Sequence, residues 1–145
     1  MNYNKTKVLA IVLCRTGSKR LKNKLLLNFG KKKVIEFFFE RLKKTKGIDK
    51  IVVATTNKTK DKALIKIAKK YKLDYFIGSE NNVLERFYFC AKRYSNEYNI
   101  VVRANADCPY FMPSILTKDI RKFKKGKYDL YTPFYKNKIP FGFSF

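Results

Sequence analysis

The sequence predicts an α/β fold, with a mainly parallel sheet doubly wound between helices on both faces, in a single domain of 145 residues. Three observations predict it. Short runs rich in Val, Ile and Leu recur along the chain, the stretches between them carry apolar residues at helical spacing, and no linker, repeat or low-complexity segment breaks the alternation. Strands separated by helices of that length imply βαβ units and hence parallel pairing.

The elements follow in order. Residues 7–14 (KVLAIVLC) form a nearly continuous apolar run, the pattern of a central parallel strand buried on both faces. Over 33–45, Val34, Ile35, Phe38 and Leu42 share one helical face, with Glu36, Glu40 and Lys43 on another. KIVVAT at 50–55 is a second strand. Beyond TNKTKD, the residues Ala63, Leu64, Ile67, Ala68 and Tyr71 repeat at helical spacing, and LDYFIG at 73–78 is a third strand. Val83, Phe87, Ala91 and Tyr94 mark another helix before the fourth strand, YNIVVRA at 98–104. A weaker helix at 113–123, with Pro113 suited to its first turn, and a strand at 127–132 follow. The terminal IPFGFSF reads as an apolar strand opening a hairpin.

Composition narrows the chemistry. There is no histidine, which excludes Ser-His-Asp and Cys-His catalysis and His-ligated zinc. Carboxylates, Lys, Arg, backbone amides or a hard metal ion remain. Cys14, Cys90 and Cys108 form no Cys-x-x-Cys pair and are odd in number, which fits reduced thiols in the cytoplasm. No apolar run approaches the length of a membrane span, and the start lacks the features of a secretory signal.

The net charge of +23 invites a nucleic-acid reading. Yet 27 of the 34 basic residues are Lys, amid abundant Asn, Ile, Phe and Tyr, as AT-rich coding bias would produce. Lys43, Lys44 and Lys46, and then Lys69, Lys70 and Lys72, fall near expected helix C-termini, where cations complement the macrodipole. Solvated helix ends are favoured over a polynucleotide surface.

In an open, doubly wound, Rossmann-like sheet the common strand order sets the first and fourth strands side by side, with ligands outside their carboxyl ends. The first ends in CRTGSKRLKNK and the fourth in RANADCPYF. In the former, Gly17 permits a turn and close ligand approach, Ser18 adds a hydroxyl, Arg15 and Arg20 can grip phosphate oxygens in bidentate fashion, and Lys24 adds a point charge. The stretch matches neither Gly-x-Gly-x-x-Gly nor the P-loop pattern, and alone it could be a solvated basic loop. In the latter, Asp107 precedes Cys108-Pro109 and faces that cradle, which suits Mg²⁺ held by one or two carboxylates plus phosphates. A cap or a pairing with Arg103 is the alternative for Asp107, weakened because position 112 is the better cap.

The chain resembles the cytidylyltransferases that activate sugars, above all the spore-coat polysaccharide group related to acylneuraminate and 3-deoxy-manno-octulosonate cytidylyltransferases. The resemblance rests on CRTGSKRLKNKLL, IVVATT, GSENNVLERF and VVRANADCP, in family order over nearly the whole chain. It implies a nucleotide-diphospho-sugar transferase-like fold and attack by a sugar oxygen on the α-phosphate of CTP, releasing pyrophosphate. Arg15, Gly17, Ser18, Arg20 and Lys24 would hold the triphosphate, Arg15 and Lys24 acting catalytically, and Asp107 would bind Mg²⁺. Ser79 and Asn82 would approach base or ribose, although capping of the following helix explains them as well. The partners implied are CTP and a sugar or sugar acid, and a homodimer. Lys22-Asn23 replaces the family's Pro-Gly, Ala106 replaces a Gly, and family chains continue well beyond residue 145, so that a second metal-binding acid and much of the sugar site are expected outside an incomplete domain. An inactive nucleotide-binding remnant is the other enzyme-like reading.

Overall fold

A computed structural model describes residues 6–18 and 20–132. Six strands and four helices run in the order β1 (Val8–Leu13), β2 (Asn28–Phe29), β3 (Lys32–Lys33), α1 (Val34–Lys43), β4 (Lys50–Thr56), α2 (Lys62–Lys70), β5 (Asp74–Gly78), α3 (Val83–Arg93), β6 (Ile100–Asn105) and α4 (Pro113–Lys125). The main sheet is wholly parallel, in the order β5-β4-β1-β6. The chain thus winds outward from β1 through β4 to β5, then returns to the other side of β1 as β6. The expected juxtaposition of first and fourth long strands is what this reversal produces.

Every residue of β1 is buried, and its alternating side chains feed two cores. Val8, Ala10 and Val12 face a large cluster with Ile35, Phe38 and Leu42 of α1, Leu64 and Ala68 of α2, and Leu116 and Ile120 of α4. Leu9, Ile11 and Leu13 face a smaller one built by α3, with Cys90 at its centre and Val83, Phe87, Ala91 and Tyr94 packed against it. Three helices therefore cover one face and one covers the other. Phe38 and Tyr71 belong to the first core, Phe87 and Tyr94 to the second, so these rings serve packing rather than base stacking.

Local chemistry fixes the helix ends. Asn82 Oδ1 accepts the Glu85 N–H at 2.9 Å and starts α3. Pro113 opens α4 after Met112, as its fixed φ suits. Glu36, on the polar face of α1, is buried. It accepts the Lys33 N–H at 2.9 Å and pairs with Lys70 at 2.8 Å, and these two contacts, the Lys70 one first, hold its carboxyl below the usual range. Other lysines are likewise used locally: Lys32 pairs with Glu40 at 2.6 Å and Lys50 with Asp74 at 2.6 Å.

Two features depart from expectation. The short antiparallel pair β2–β3, turning on Gly30 at φ 61°, has too few residues to show a period in the sequence. Residues 127–132 form no strand. Tyr128 folds back over Gly126 and against Phe123, and the Tyr131 hydroxyl donates to Asp119 at 3.2 Å, so these side chains return to α4 instead of extending along a sheet. The expected terminal hairpin at IPFGFSF lies outside the described residues, as does Lys19.

Candidate functional site

Both polar loops emerge at adjoining carboxyl ends, since Leu13 at the end of β1 is paired with Asn105 at the end of β6. They meet directly. Lys24 Nζ lies 2.7 Å from Asp107 Oδ2, with both side chains partly exposed. Asp107 therefore pairs with Lys24, not Arg103, and caps no helix.

The loop after β1 is built around Thr16. Cys14 is still buried and donates its N–H to the Ala54 carbonyl at 3.2 Å, continuing the sheet. Thr16 O then accepts from Ser18 N at 2.8 Å and from Asn23 N at 3.3 Å, closing the loop on itself. Ser18 N–H is thus consumed internally, and the Ser18 hydroxyl oxygen accepts weakly from Leu21 N at 3.5 Å. Among the described residues nothing accepts from Gly17 N–H, and no atom lies within 4 Å of where a Gly17 Cβ would stand. Of these two neighbouring amides, Gly17 N–H is the one left to meet a ligand. Gly17 is also not the residue whose conformation demands glycine, because the left-handed position is Asn23, at φ 55°. Leu25 is buried and anchors the loop's far end in the main core. Arg15 and Arg20 are exposed, and Arg20 has no partner among the described residues.

Arg15 reaches sideways. Its Nη1 donates to the Glu80 carbonyl at 3.1 Å, which brings the 79–82 loop to the same crevice. That loop is tied down from several directions. Ser79 Oγ accepts Asn82 N at 3.2 Å, Lys58 pairs with the Glu80 carboxylate at 2.5 Å, and Arg86 Nη1 donates to the Ser79 carbonyl. The side chains of Ser79 and Asn82 therefore both act locally at the start of α3.

Beneath the crevice lie residues that sequence reasoning missed. Asp61 is buried and accepts from both Thr16 N and Thr16 Oγ1 at 2.7 Å and from the Thr56 hydroxyl. Arg86 is 2% exposed, its Nε without a partner among the described residues, and burial lowers its pKa. Cys14 beside them is pushed up to about 12, chiefly by burial and next by the Asp61 charge, so it stays a neutral thiol. Arg86 was discoverable, because it shares the helical stripe of Val83, Phe87 and Cys90.

Opposite, the β6 loop is fastened from behind. Phe111 is buried against Phe38, ring centroids 5.2 Å apart, and its carbonyl accepts Arg41 Nε at 2.9 Å and Nη2 at 2.6 Å. Asp107 is left projecting at the crevice, held by Lys24 and, weakly, by the thiol of its neighbour Cys108 at 4.0 Å.

The sequence matches the cytidylyltransferase family over residues 9–139, which is most of its length. This chain belongs to the cytidylyltransferase family. It is similar to protein MJ1063 of Methanocaldococcus jannaschii, 41% identical over 85% of this chain and 50% of that protein. It is similar also to the spore coat polysaccharide biosynthesis protein SpsF of Bacillus subtilis, 29% identical over 75% of this chain and 46% of that one. A solved cytidylyltransferase from Leptospira borgpetersenii superposes with a TM-score of 0.74 at 34% identity, covering 85% of this chain and 50% of its own. The chain spans about half the length of these relatives.

Within this cytidylyltransferase-family fold, Asn23 and Ala106, the two residues that stand where glycines were expected, are accommodated. Asn23 adopts the positive φ that glycine would otherwise supply, as its short polar side chain allows. Ala106 is 1% exposed and packs into the main core, so its methyl points away from the crevice and crowds nothing there. A divalent ion would find at the crevice one projecting carboxylate, Asp107, and no cluster of three acidic or thiol groups among the described residues. That donor set fits Mg²⁺, which takes few protein oxygens when phosphates supply others. No described helix is long and apolar enough to cross a membrane.

Proposed function

We propose that this chain binds CTP with Mg²⁺ and, as part of a cytidylyltransferase, transfers CMP to a sugar or sugar acid with release of pyrophosphate. The observation that carries the reading is the meeting of Lys24 and Asp107 where β1 and β6 adjoin, at 2.7 Å, flanked by Arg15. A cation and a carboxylate thus face the same space, the first suited to phosphate oxygens and the second to a hard metal ion.

Arg15, Arg20 and Lys24 bind the triphosphate and offset its charge, Gly17 N–H donates to one of its oxygens, and Ser18 lines the loop. Arg15 and Lys24 stabilise the charge that develops as the bond between the α-phosphorus and a sugar oxygen forms and the α–β bridge breaks. The sugar hydroxyl proton passes to solvent, and pyrophosphate leaves. Asp107 would hold a divalent ion, which when bound would supply positive charge to offset the triphosphate. Lys24, paired with Asp107 here, is the cation on the same side of the crevice that can turn to the triphosphate. Ser79 and Asn82 border the base and ribose end through the loop that Arg15 grips. A polysaccharide-directed sugar is supported by the similarity to SpsF. The domain is read as a single nucleotide-binding unit, cytoplasmic and working as a homodimer.

Calorimetry with CTP, ATP and GTP, with and without Mg²⁺, tests this. CTP is expected to bind best and to require Mg²⁺, with Arg15→Ala weakening it about tenfold or more, the worth of one charge-assisted contact. Binding that ignores Mg²⁺ and survives Arg15→Ala would sink the reading. Binding without pyrophosphate release in the presence of candidate sugar acids would mark the chain as a nucleotide-binding unit only.

A further inference from the structure

The residue at the root of the cradle is not one of its cations. We propose that Asp61 is a positioning residue for the loop after β1: its carboxylate fixes Thr16, and through Thr16 the aim of Arg15 and of the Gly17 N–H on either side. The ligand this serves rests on the nucleotide reading above; the control of the loop does not.

Asp61 stands immediately before α2, where a carboxylate would ordinarily accept the first free amides of its own helix. It caps nothing there. Both oxygens are turned instead to groups outside its helix, Oδ1 taking the N–H and the hydroxyl of Thr16, 45 residues away, and Oδ2 the hydroxyl of Thr56 at the end of β4. All three contacts are donated to it, and only an ionised carboxylate is acceptor-only, so a neutral amide would present a donor to at least one of them. The carboxylate is 1% exposed. Burial of a charge is costly unless hydrogen bonds compensate it, and here the compensation comes from the very residue whose carbonyl closes the loop by accepting from Ser18 and Asn23. Thr16 is thus saturated on both sides, by Asp61 behind and by its own loop in front. Arg86, which holds the Ser79 carbonyl, lies close enough for its charge to be felt by the same buried group of residues, so the 79–82 loop shares this base.

The test compares wild type with Asp61→Asn, Asp61→Ala and Thr16→Ser by amide hydrogen exchange without ligand, and by calorimetry with Mg²⁺ and CTP. In Asp61→Ala the Thr16 and Asn23 amides are expected to exchange about tenfold faster or more while β1 amides keep their protection, and CTP affinity to fall by a similar factor, with Asp61→Asn, whose oxygen can stay on Thr16 while its amide turns to the Thr56 hydroxyl, less affected. Thr16→Ser, which keeps both donors, is expected to match wild type. A purely structural role would instead accelerate β1 and loop amides together, and that result overturns the proposal. So does an unchanged Thr16 amide in Asp61→Ala, or a loosened loop that binds CTP as tightly as before. Should Asp61→Ala not fold, Thr16→Val, which removes one contact at the same carboxylate, carries the test. A wild-type chain that binds no CTP rejects the nucleotide reading, and the exchange measurement then decides on Asp61 by itself.

Discussion

The rim and the floor of the crevice are built on opposite rules. At the rim, Arg15, Arg20, Lys24 and Asp107 are charged and sparsely bonded, Lys24 partly exposed and the others exposed, with Lys24 and Asp107 bonded mainly to each other. On the floor, Thr16, Thr56, Asp61 and Arg86 are all 5% exposed or less; Asp61 bonds both threonines, and Arg86 beside them bonds the Ser79 carbonyl. A rim that must exchange its partners when a polyphosphate arrives cannot be stabilised by them beforehand. Its placement has to come from below.

That contrast can be broken by substitutions that affect stability on one side and ligand binding on the other. The largest effect is expected at Phe111, which fastens the Asp107 loop from behind. Phe111→Ala should lower stability by about 3–5 kcal/mol, measured by chemical denaturation. Gly78→Ala comes next, because a Cβ there would stand 2.8 Å from Arg86 Cγ and from the Phe76 ring. Forcing Arg86 aside should cost about 1–3 kcal/mol. At the rim, Lys24→Met should change stability by less than about 1 kcal/mol, since the pair it breaks is exposed, while weakening CTP binding measured by calorimetry. A rim substitution as destabilising as Gly78→Ala would erase the distinction.

Thiol chemistry sharpens the same comparison at smaller scale. Burial pushes the Cys14 and Cys90 thiols up to about 12, so both remain protonated and unreactive at pH 8. Cys108, beside the rim, is half-buried, and its pKa is also raised, by burial and then by Asp107. Alkylation of the folded protein at that pH should modify Cys108 alone, slowly, with the other two reacting after denaturant is added. Mass spectrometry of the labelled chain checks the order.

The sequence made the rim readable and left the floor hidden, for physical reasons. Exposed cations clustered around Thr16-Gly17-Ser18 after an apolar strand can be seen without coordinates, and so can Asp107, one of 11 acidic residues, at the end of another strand. The strands and helices were readable because both cores draw on strictly periodic residues. Asp61 sits in the polar run TNKTKD, where nothing local separates a buried carboxylate from a solvated one; its partners are 45 residues upstream and at the end of β4. Arg86 left a trace, a charge within an apolar stripe. The strand expected at 127–132 does not form because Tyr128 and Tyr131, three residues apart rather than alternate, both turn back to α4, Tyr128 against Phe123 and the Tyr131 hydroxyl to Asp119.

One further consequence lies at the sheet's margin. β6 is an outer strand among the described residues, and beside it runs a groove of about 610 Å³ lined by residues such as Val101, Leu116, Phe123 and the exposed Leu130. Among the described residues the outer edge of β6 is unpaired, and an unpaired edge next to apolar surface invites another copy to pair with it. Each copy, however, carries +23. Molecules so charged repel one another, and that repulsion is curtailed when salt shortens its reach to about 8 Å at physiological ionic strength. The lysine surplus thus acts as a dispersant for the chain that carries it, and light scattering at fixed protein concentration should rise as salt is added.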